Sequence, residues 1–291
     1  MPQEESIGHI LETYQRIEIT EHHIYKNLAK SIKEPDNRKV LEQIADDERG
    51  HAEGWKKYTQ RDIQPSRWDI FKYTLIGRLF GFTFGIKLME RGEEKAQKNY
   101  AQLQGKIPEI EKWLHEEEIH EQKLIGMLDE ERLRYAGSVV LGLNDALVEL
   151  TGALAGLTLA LQNGKLIALS GLITGIAASL SMAASEYLST RSEETSKHPV
   201  RAAIYTGIAY VITVTLLVLP YLIIPQNYYL DLVITLVTAV LIIAVFNYYI
   251  SVAKDEPFKK RFLEMTGLSL SVAALSFLVG YLIRQWLGVE I

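Results

Sequence analysis

The sequence contains no cysteine, and its basic side chains do not outnumber its acidic ones. The lack of cysteine excludes disulfide-stapled folds, cysteine-ligated zinc, iron–sulfur clusters and thiol catalysis. With 31 Lys and Arg against 36 Asp and Glu, the formal net charge is −5, so the composition does not indicate a nucleic-acid partner. The first ten residues also lack a basic patch followed by an apolar run, and we expect no cleavable signal peptide.

The charged residues are spread very unevenly along the 291 positions. Residues 1–134 carry 48 of the 67 charged side chains and six of the seven histidines. Residues 135–291 carry only 9 basic and 10 acidic side chains. This contrast predicts two domains, a polar one over 1–134 and an apolar one over 135–291.

The apolar half contains five long hydrophobic stretches. Each has about the 20 residues that a helix needs to cross a bilayer. We expect transmembrane helices over 138–162, 166–190, 202–224, 230–253 and 266–287. The second half is therefore predicted to be an integral membrane domain of five helices.

Basic residues concentrate in alternate connections between these spans. The connection at 191–201 holds three Lys or Arg and the one after the fourth span holds four, whereas 225–231 holds none. Because basic loops stay on the cytoplasmic side, we expect a protein of the cell membrane with residues 1–134 in the cytoplasm and the C-terminus outside. A reducing compartment also suits a cysteine-free domain.

The polar half has helical periodicity with breaks near 34–36, 62–66 and 105–108. We expect four helices, over 6–33, 36–60, 69–104 and 108–135. Four long helices with short connections are typical of a four-helix bundle. The overall prediction is an all-α chain, a cytoplasmic four-helix bundle followed by five transmembrane helices.

Two of the expected helices carry the same metal-binding pattern. Glu48 and His51 are three residues apart on the second helix, and Glu117 and His120 are three apart on the fourth. This spacing puts a carboxylate and an imidazole on one helix face. A single pair of this kind on an exposed helix would be ordinary surface, but here it occurs on alternate helices.

The other two helices also match each other. Glu18 is followed seven residues later by Tyr25, and Glu93 is followed seven residues later by Tyr100. One Glu from each of two helices, with a Glu-x-x-His from each of the other two, is the ligand set of a di-iron or di-manganese site. Six such groups in a bundle core would be strongly unfavourable without metal. The other histidines of this half are expected on solvated helix faces: His9, His22, His23 and His115.

With these motifs, residues 6–134 resemble the rubrerythrin-type branch of the ferritin-like family. The resemblance implies that Glu18, Glu48, His51, Glu93, Glu117 and His120 are ligands of a dinuclear iron site, with manganese as the other candidate. Rubrerythrins usually have one more carboxylate three residues after the Glu93 position, where this chain has Ala96, and Glu90, one turn before Glu93 on the same face, is the candidate replacement. Their four-cysteine iron domain is absent here, which argues against peroxidase turnover of the rubrerythrin kind.

Two of the expected spans contain ionisable side chains, which are costly in a bilayer and indicate function by default. Asp145 and Glu149 are four residues apart in the first span, and Met182 and Glu186 are four apart in the second. Carboxylates with a thioether suit a partly dehydrated divalent transition metal. Structural hydrogen bonds near the helix ends are the alternative interpretation of the acids.

The segments Gly-Leu-Asn-Asp-Ala at 142–146 and Ser-Met-Ala-Ala-Ser-Glu-Tyr at 181–187 resemble the vacuolar iron transporter family. Its members are five-span dimers that move Fe²⁺ or Mn²⁺ in exchange for protons, and the resemblance implies the same here. Asp145 and Met182 match the acid and the methionine of the family's pathway.

The membrane half also departs from that family. Ser138 and Thr174 stand where the plant members have acids, and Glu149 is the candidate substitute for one of them. Only residues 191–201 connect the second and third spans, so the family's helical metal-binding insert is missing. We expect the bundle to capture metal in its place.

Together the two resemblances indicate the membrane-bound ferritin class. The sequence predicts a homodimeric exporter of Fe²⁺ or Mn²⁺, driven by proton exchange, with a pathway lined by Asp145, Glu149, Met182 and Glu186. One alternative is a membrane-anchored di-iron enzyme that oxidises Fe²⁺ or consumes peroxide, although five spans exceed what an anchor needs. Another is a transporter gated by the bundle as a metal or peroxide sensor.

Overall fold

A computed structural model describes residues 7–97, 107–126, 134–193, 197–224 and 227–287, apart from the side chains of 93–97, 121, 125–126 and 287. Within these ranges every regular element is a helix, which confirms the all-α prediction. The contacts divide the chain into two units, Met1–Glu130 and Glu131–Ile291. We refer to them as the bundle unit and the membrane unit.

The described part of the bundle unit contains five helices. They are α1 (Ile7–Ala29), α2 (Pro35–Thr59), α3 (Arg67–Phe80), α4 (Phe82–Gln97) and α5 (Ile110–Gly126). Proline at the first position of α2 presets the helical φ angle where no intrahelical N–H bond is needed. The Ser66 side chain begins α3 by accepting the Asp69 N–H at 3.3 Å.

The expectation of one continuous helix over 69–104 was wrong. Gly81 separates α3 from α4 with a φ of 107°, which a residue with a Cβ rarely adopts. A Cβ on Gly85 would lie 2.6 Å from the Gly77 Cα, so the two helices approach closely on either side of this break. Hydrophobic periodicity continues through the break, because both helices bury apolar faces.

Two apolar clusters form the core of the bundle unit. One contains Ile24 and Leu28 of α1 with Leu41 of α2, and the other contains Tyr14 of α1 with Trp55 of α2. Along both helices, the segment between the two clusters carries buried polar side chains instead. The bundle therefore encloses a polar layer between two apolar ones.

The membrane unit confirms the five spans. They are α6 (Ala136–Leu161), α7 (Gly164–Ser192), α8 (Pro199–Ile223), α9 (Tyr228–Lys254) and α10 (Phe258–Leu287), each long and apolar enough to cross a bilayer. The last begins at Phe258, earlier than the expected start at 266. Glycines allow close packing: a Cβ on Gly280 of α10 would collide with the Gly156 carbonyl oxygen of α6.

The first span is not a regular α-helix throughout. Residues Ala146–Leu150 form a π-helical turn in the middle of α6. Such turns are rare in proteins overall, but those that occur are often found at functional sites. This one begins directly after Asp145 and contains Glu149, so it changes the angle between the two acids from that of a regular helix.

Candidate metal centre and membrane acids

The polar layer of the bundle unit contains a compact cluster of potential metal ligands. Glu18 of α1, Glu48 and His51 of α2, and Glu117 of α5 each offer one ligand atom, and these atoms lie within 4.8 Å of one another. The first three side chains are buried and Glu117 is half-buried. Three of the four expected bundle helices thus contribute to one site.

The centre of the cluster is the Nδ1 atom of His51. It lies 3.5 Å from Glu18 Oε2, 3.4 Å from Glu48 Oε2 and 3.3 Å from Glu117 Oε1. His51 Nδ1, Glu18 Oε2 and Glu48 Oε2 are buried without a hydrogen-bond partner. Buried polar atoms are nearly always paired, so three unpaired ones that face each other are the arrangement expected around a cation.

His120 joins the cluster from α5. Its Nδ1 lies 3.1 Å from Glu48 Oε1, and its Nε2 lies 3.0 Å from Asp47 Oδ2. His51 is held similarly, because its Nε2 lies 3.0 Å from Glu116 Oε2. A carboxylate on the outer nitrogen orients an imidazole and raises its basicity as a ligand.

Asp47 and Glu116 were missed in the sequence. Each directly precedes one of the two Glu-x-x-His motifs, and this acid–Glu pairing was the available signal. In both motifs, the acid that directly precedes the glutamate lies at hydrogen-bond distance from the imidazole of the other motif.

Burial and mutual repulsion shape the electrostatics of the cluster. Burial raises the pKa of Glu18 well above its usual value, and the nearby carboxylates of Glu48 and Glu117 raise it further. Burial opposes charge on the imidazoles too, but bonds to carboxylates outweigh it, so the pKa of His51 is raised and that of His120 rises to about 10. The carboxylates of the cluster therefore favour the protonated, positively charged form of both imidazoles in the bundle core.

One side of the cluster is closed by aromatic rings. The indole N–H of Trp55 donates to Glu18 Oε1 at 3.1 Å, which leaves Oε2 of the same carboxylate pointing into the cluster. Trp55 is fully buried, and its ring centroid lies 4.7 Å from Trp113 and 5.2 Å from Tyr14. These rings exclude water from this side and hold Glu18 in one orientation.

Other residues expected at the site are placed differently. Glu93 and Tyr100 lie outside the side chains that the structure describes. Glu90 is half-buried on α4 and interacts electrostatically with the buried Tyr25, but it is not among the four converging ligands. The expectation of a solvated His22 was wrong, since it is 5% exposed with its Nδ1 2.5 Å from the Ala45 carbonyl oxygen.

In the membrane unit, the acids of α6 and α7 are bonded to neighbouring helices. The Tyr210 hydroxyl of α8 donates to Glu149 Oε2 at 3.0 Å, and Glu149 is otherwise exposed on the single chain. The Ser138 hydroxyl of α6 donates to Glu186 Oε1 at 2.6 Å, and both side chains are buried. Ser138, which stands where plant relatives were expected to have an acid, thus serves as a hydrogen-bond donor.

Asp145 and Met182 are both half-buried. Asp145 interacts electrostatically with Glu149 across the π-helical turn, and Met182 packs against the apolar core of the membrane unit. Among the residues that the structure describes, the membrane acids do not form a cluster of three ligand atoms like that of the bundle.

A further acid, Asp231, lies where the expected connection 225–231 meets the expected span 230–253. The structure places it in the first turn of α9, fully buried within the membrane unit. The available signal was a single acid at the start of an otherwise apolar span.

Comparisons with known proteins match two family models to different parts of the chain. The model of the rubrerythrin family matches residues 9–78, and the model of the VIT family matches residues 136–198 and 192–281. The first match covers most of α1, all of α2 and most of α3, and the second covers most of the membrane unit. No curated protein and no solved structure matches the chain. Both resemblances inferred from the sequence motifs are confirmed.

Proposed function

The chain belongs to the VIT family, and from this membership we propose that it exports Fe²⁺ from the cytoplasm in exchange for protons, with Mn²⁺ as the second candidate ion. The bundle captures the metal and supplies it to the membrane unit. The observation that carries this proposal is the association, in one chain, of a five-span VIT domain with a Glu–His cluster in which three buried, facing atoms lack hydrogen-bond partners.

The donor set of the cluster fits iron or manganese. Carboxylate oxygens and imidazole nitrogens suit these metals, whereas a thiolate set would favour zinc or copper. We assign Glu18, Glu48, His51, Glu93, Glu117 and His120 as ligands of a dinuclear iron site, with Glu90 as an additional candidate. Two bound ions would offset the negative charge of the carboxylates and satisfy the unpaired atoms.

The proposed direction of transport follows from the charged loops. The basic connections 191–201 and 254–261 support a bundle in the cytoplasm and a C-terminus outside. Metal bound by the bundle is then on the side from which export starts.

The proposed pathway uses Asp145, Glu149, Met182 and Glu186. Glu149 supports a dimer, because an exposed, hydrogen-bonded carboxylate in the middle of a span is unfavourable against lipid. A second subunit facing this surface would enclose the acid in a path that both chains line. Met182 and Asp145 contribute the soft and the hard ligand of that path.

Proton exchange supplies the driving force in this proposal. A membrane potential that is negative inside opposes cation exit by about 2.3 kcal/mol per charge per 100 mV, hence about 4.6 kcal/mol for a divalent ion. Protons entering as the metal leaves offset this cost. Intramembrane carboxylates that bind either a metal or a proton provide the exchange.

The test is anaerobic Fe²⁺ flux in liposomes containing the full-length chain, measured under an imposed proton gradient. We expect Asp145→Asn to lose flux, while Asp36→Asn, an exposed acid of α2, keeps it. The double variant Glu48→Ala/His51→Ala should lower the flux if the bundle feeds the membrane unit. Full flux in Asp145→Asn would contradict the proposed pathway.

The same experiment addresses the enzyme alternative. If wild-type liposomes show no protein-dependent flux while the bundle still binds metal, the chain is a membrane-anchored di-iron enzyme instead of a transporter. Fe²⁺ oxidation or peroxide consumption that is lost in Glu48→Ala/His51→Ala would then identify the activity. If the double variant changes only how flux responds to metal concentration, the bundle is a sensor.

A further inference from the structure

Asp231 is the least satisfied charged group of the membrane unit that the structure describes. Its side chain has an exposed fraction of 0%. Its backbone N–H donates to the Asn227 carbonyl oxygen at 3.0 Å, but neither carboxylate oxygen has a hydrogen-bond partner. Ionisable groups inside a membrane domain are functional candidates by default, and the pathway above does not use this one.

The Tyr221 hydroxyl and the two threonines next to it have no hydrogen to give to Asp231. Thr158, Tyr221 and Thr235 are all fully buried, and Tyr221 interacts electrostatically with the carboxylate. Thr158 donates to a carbonyl oxygen one turn earlier in α6, so the hydrogen of its 2.8 Å bond with Tyr221 comes from the tyrosine. Thr235 donates to the Leu217 carbonyl oxygen at 2.9 Å.

The cations at this end of the membrane unit do not neutralise Asp231 either. Arg284 of α10 donates to the Leu159 carbonyl oxygen at 3.3 Å, and Lys165 at the start of α7 is exposed. α9 packs on α6, α8 and α10, and no side chain of these helices that the structure describes is a hydrogen-bond partner of the carboxylate. An ionised Asp231 would be a buried and unpaired charge, which is strongly unfavourable.

We propose that Asp231 is a proton-binding site. One carboxylate oxygen carries a proton in this conformation, so the side chain is the neutral acid. A proton needs no coordination shell, which suits a carboxyl without donors around it better than a metal ion would. The helix dipole at the start of α9 favours the ionised form, but it does not replace the lost hydration of a fully buried carboxylate.

The position of this site gives it a role in transport, and this role rests on the proposed function. With the bundle in the cytoplasm, Asp231 lies near the outer surface of the membrane, where α8 ends and α9 begins. A proton from the outer solution binds the carboxylate, and it leaves towards the cytoplasm as the metal moves outward. Asp231 is then the outer proton site, separate from the acids of α6 and α7.

The first test is infrared spectroscopy of the full-length protein in liposomes at neutral pH. A protonated carboxyl has a C=O stretch distinct from that of carboxylate. We expect this band to be reduced in Asp231→Asn and unchanged in the exposed control Asp36→Asn. Asp231→Glu should retain a protonated-acid band, which guards against misfolding of the Asn variant. An unchanged band in Asp231→Asn overturns the proposal.

The second test compares Fe²⁺ flux with and without a proton gradient, in the liposome assay above. We expect the gradient to accelerate flux in the wild type, Asp36→Asn and Asp231→Glu, and the ratio of the two rates to fall to unity in Asp231→Asn. If the band is lost but this ratio equals that of the wild type, the proton is only structural and its role in transport is overturned.

The two tests separate this inference from the proposed function. A wild type that moves no Fe²⁺ overturns the proposed function and the transport role of Asp231 together, while the infrared band still decides whether the carboxyl is protonated. A wild type whose flux responds to the gradient, with the same response in Asp231→Asn, overturns only the role of Asp231.

Discussion

Replacing Glu18 with glutamine should have opposite effects on stability in the absence and in the presence of metal. Glu18 is 3% exposed, and its Oε2 atom has no hydrogen-bond partner within a cluster that also holds the carboxylates of Glu48 and Glu117. Glutamine keeps the size of the side chain and can still accept the Trp55 N–H. It removes a buried acid whose pKa is raised by burial, so that no carboxylate can form there, and it adds an amide that can donate to a neighbouring carboxylate.

The magnitude follows from the unpaired atom. Leaving a buried polar group unsatisfied costs about 1–3 kcal/mol, so the metal-free variant should be more stable than the metal-free wild type by about that amount. With metal at a hundredfold excess over its dissociation constant, the wild type gains about 2.7 kcal/mol. The variant loses most of this gain, because an amide oxygen is a weaker ligand than a carboxylate. One kcal/mol corresponds to about 4 °C in Tm for a domain of this size.

The assay is thermal unfolding of the full-length protein in detergent, with a chelator or with Mn²⁺, which avoids iron oxidation. Tryptophan fluorescence reports on the site, because Trp113 and His51 have ring centroids 5.9 Å apart. Glu42→Gln, which replaces an exposed acid on α2, is the matched control and should leave Tm unchanged both with chelator and with Mn²⁺. If Glu18→Gln lowers Tm equally with chelator and with Mn²⁺, Glu18 is an ordinary structural acceptor for Trp55 and the metal-site argument is wrong.

Two further predictions concern the membrane unit. Gly142→Ala should prevent close packing of α6 on α8, because the added Cβ would collide with the Thr206 carbonyl oxygen. The control is Gly267→Ala, whose added Cβ has no atom within 4 Å. The yield of monodisperse protein in size-exclusion chromatography should fall only for Gly142→Ala. Tyr210→Phe removes the 3.0 Å bond to Glu149 and should reduce Fe²⁺ flux in liposomes while leaving the yield unchanged; wild-type flux would show that this bond does not position the acid.

The architecture of the chain could be predicted from local patterns. Long apolar stretches identified the five spans because crossing a bilayer requires a set number of consecutive apolar residues. The Glu-x-x-His spacing predicted which side chains of α2 and α5 share a face, and the structure brings Glu48, His51 and Glu117 close to Glu18, with His120 next to Glu48. These predictions depend on helix geometry, which repeats every turn and is encoded in a short window of sequence.

Other features required the tertiary structure. The break at Gly81 is invisible to periodicity, because both α3 and α4 keep apolar faces. The π-helical turn after Asp145 does not alter the composition of α6, yet it changes the angle between Asp145 and Glu149. Neither feature follows from residue types within a window.

The partners of the acids were likewise decided by packing between helices. The bonds of Glu149 to Tyr210 and of Glu186 to Ser138 join residues that are 61 and 48 positions apart. The sequence placed Asp231 at the start of an expected span, and only the surrounding helices show that its carboxylate is enclosed and has no hydrogen-bond partner. Local sequence determined which groups each helix carries, whereas burial and pairing depend on neighbours distant in sequence, and these set the charge that each acid can hold.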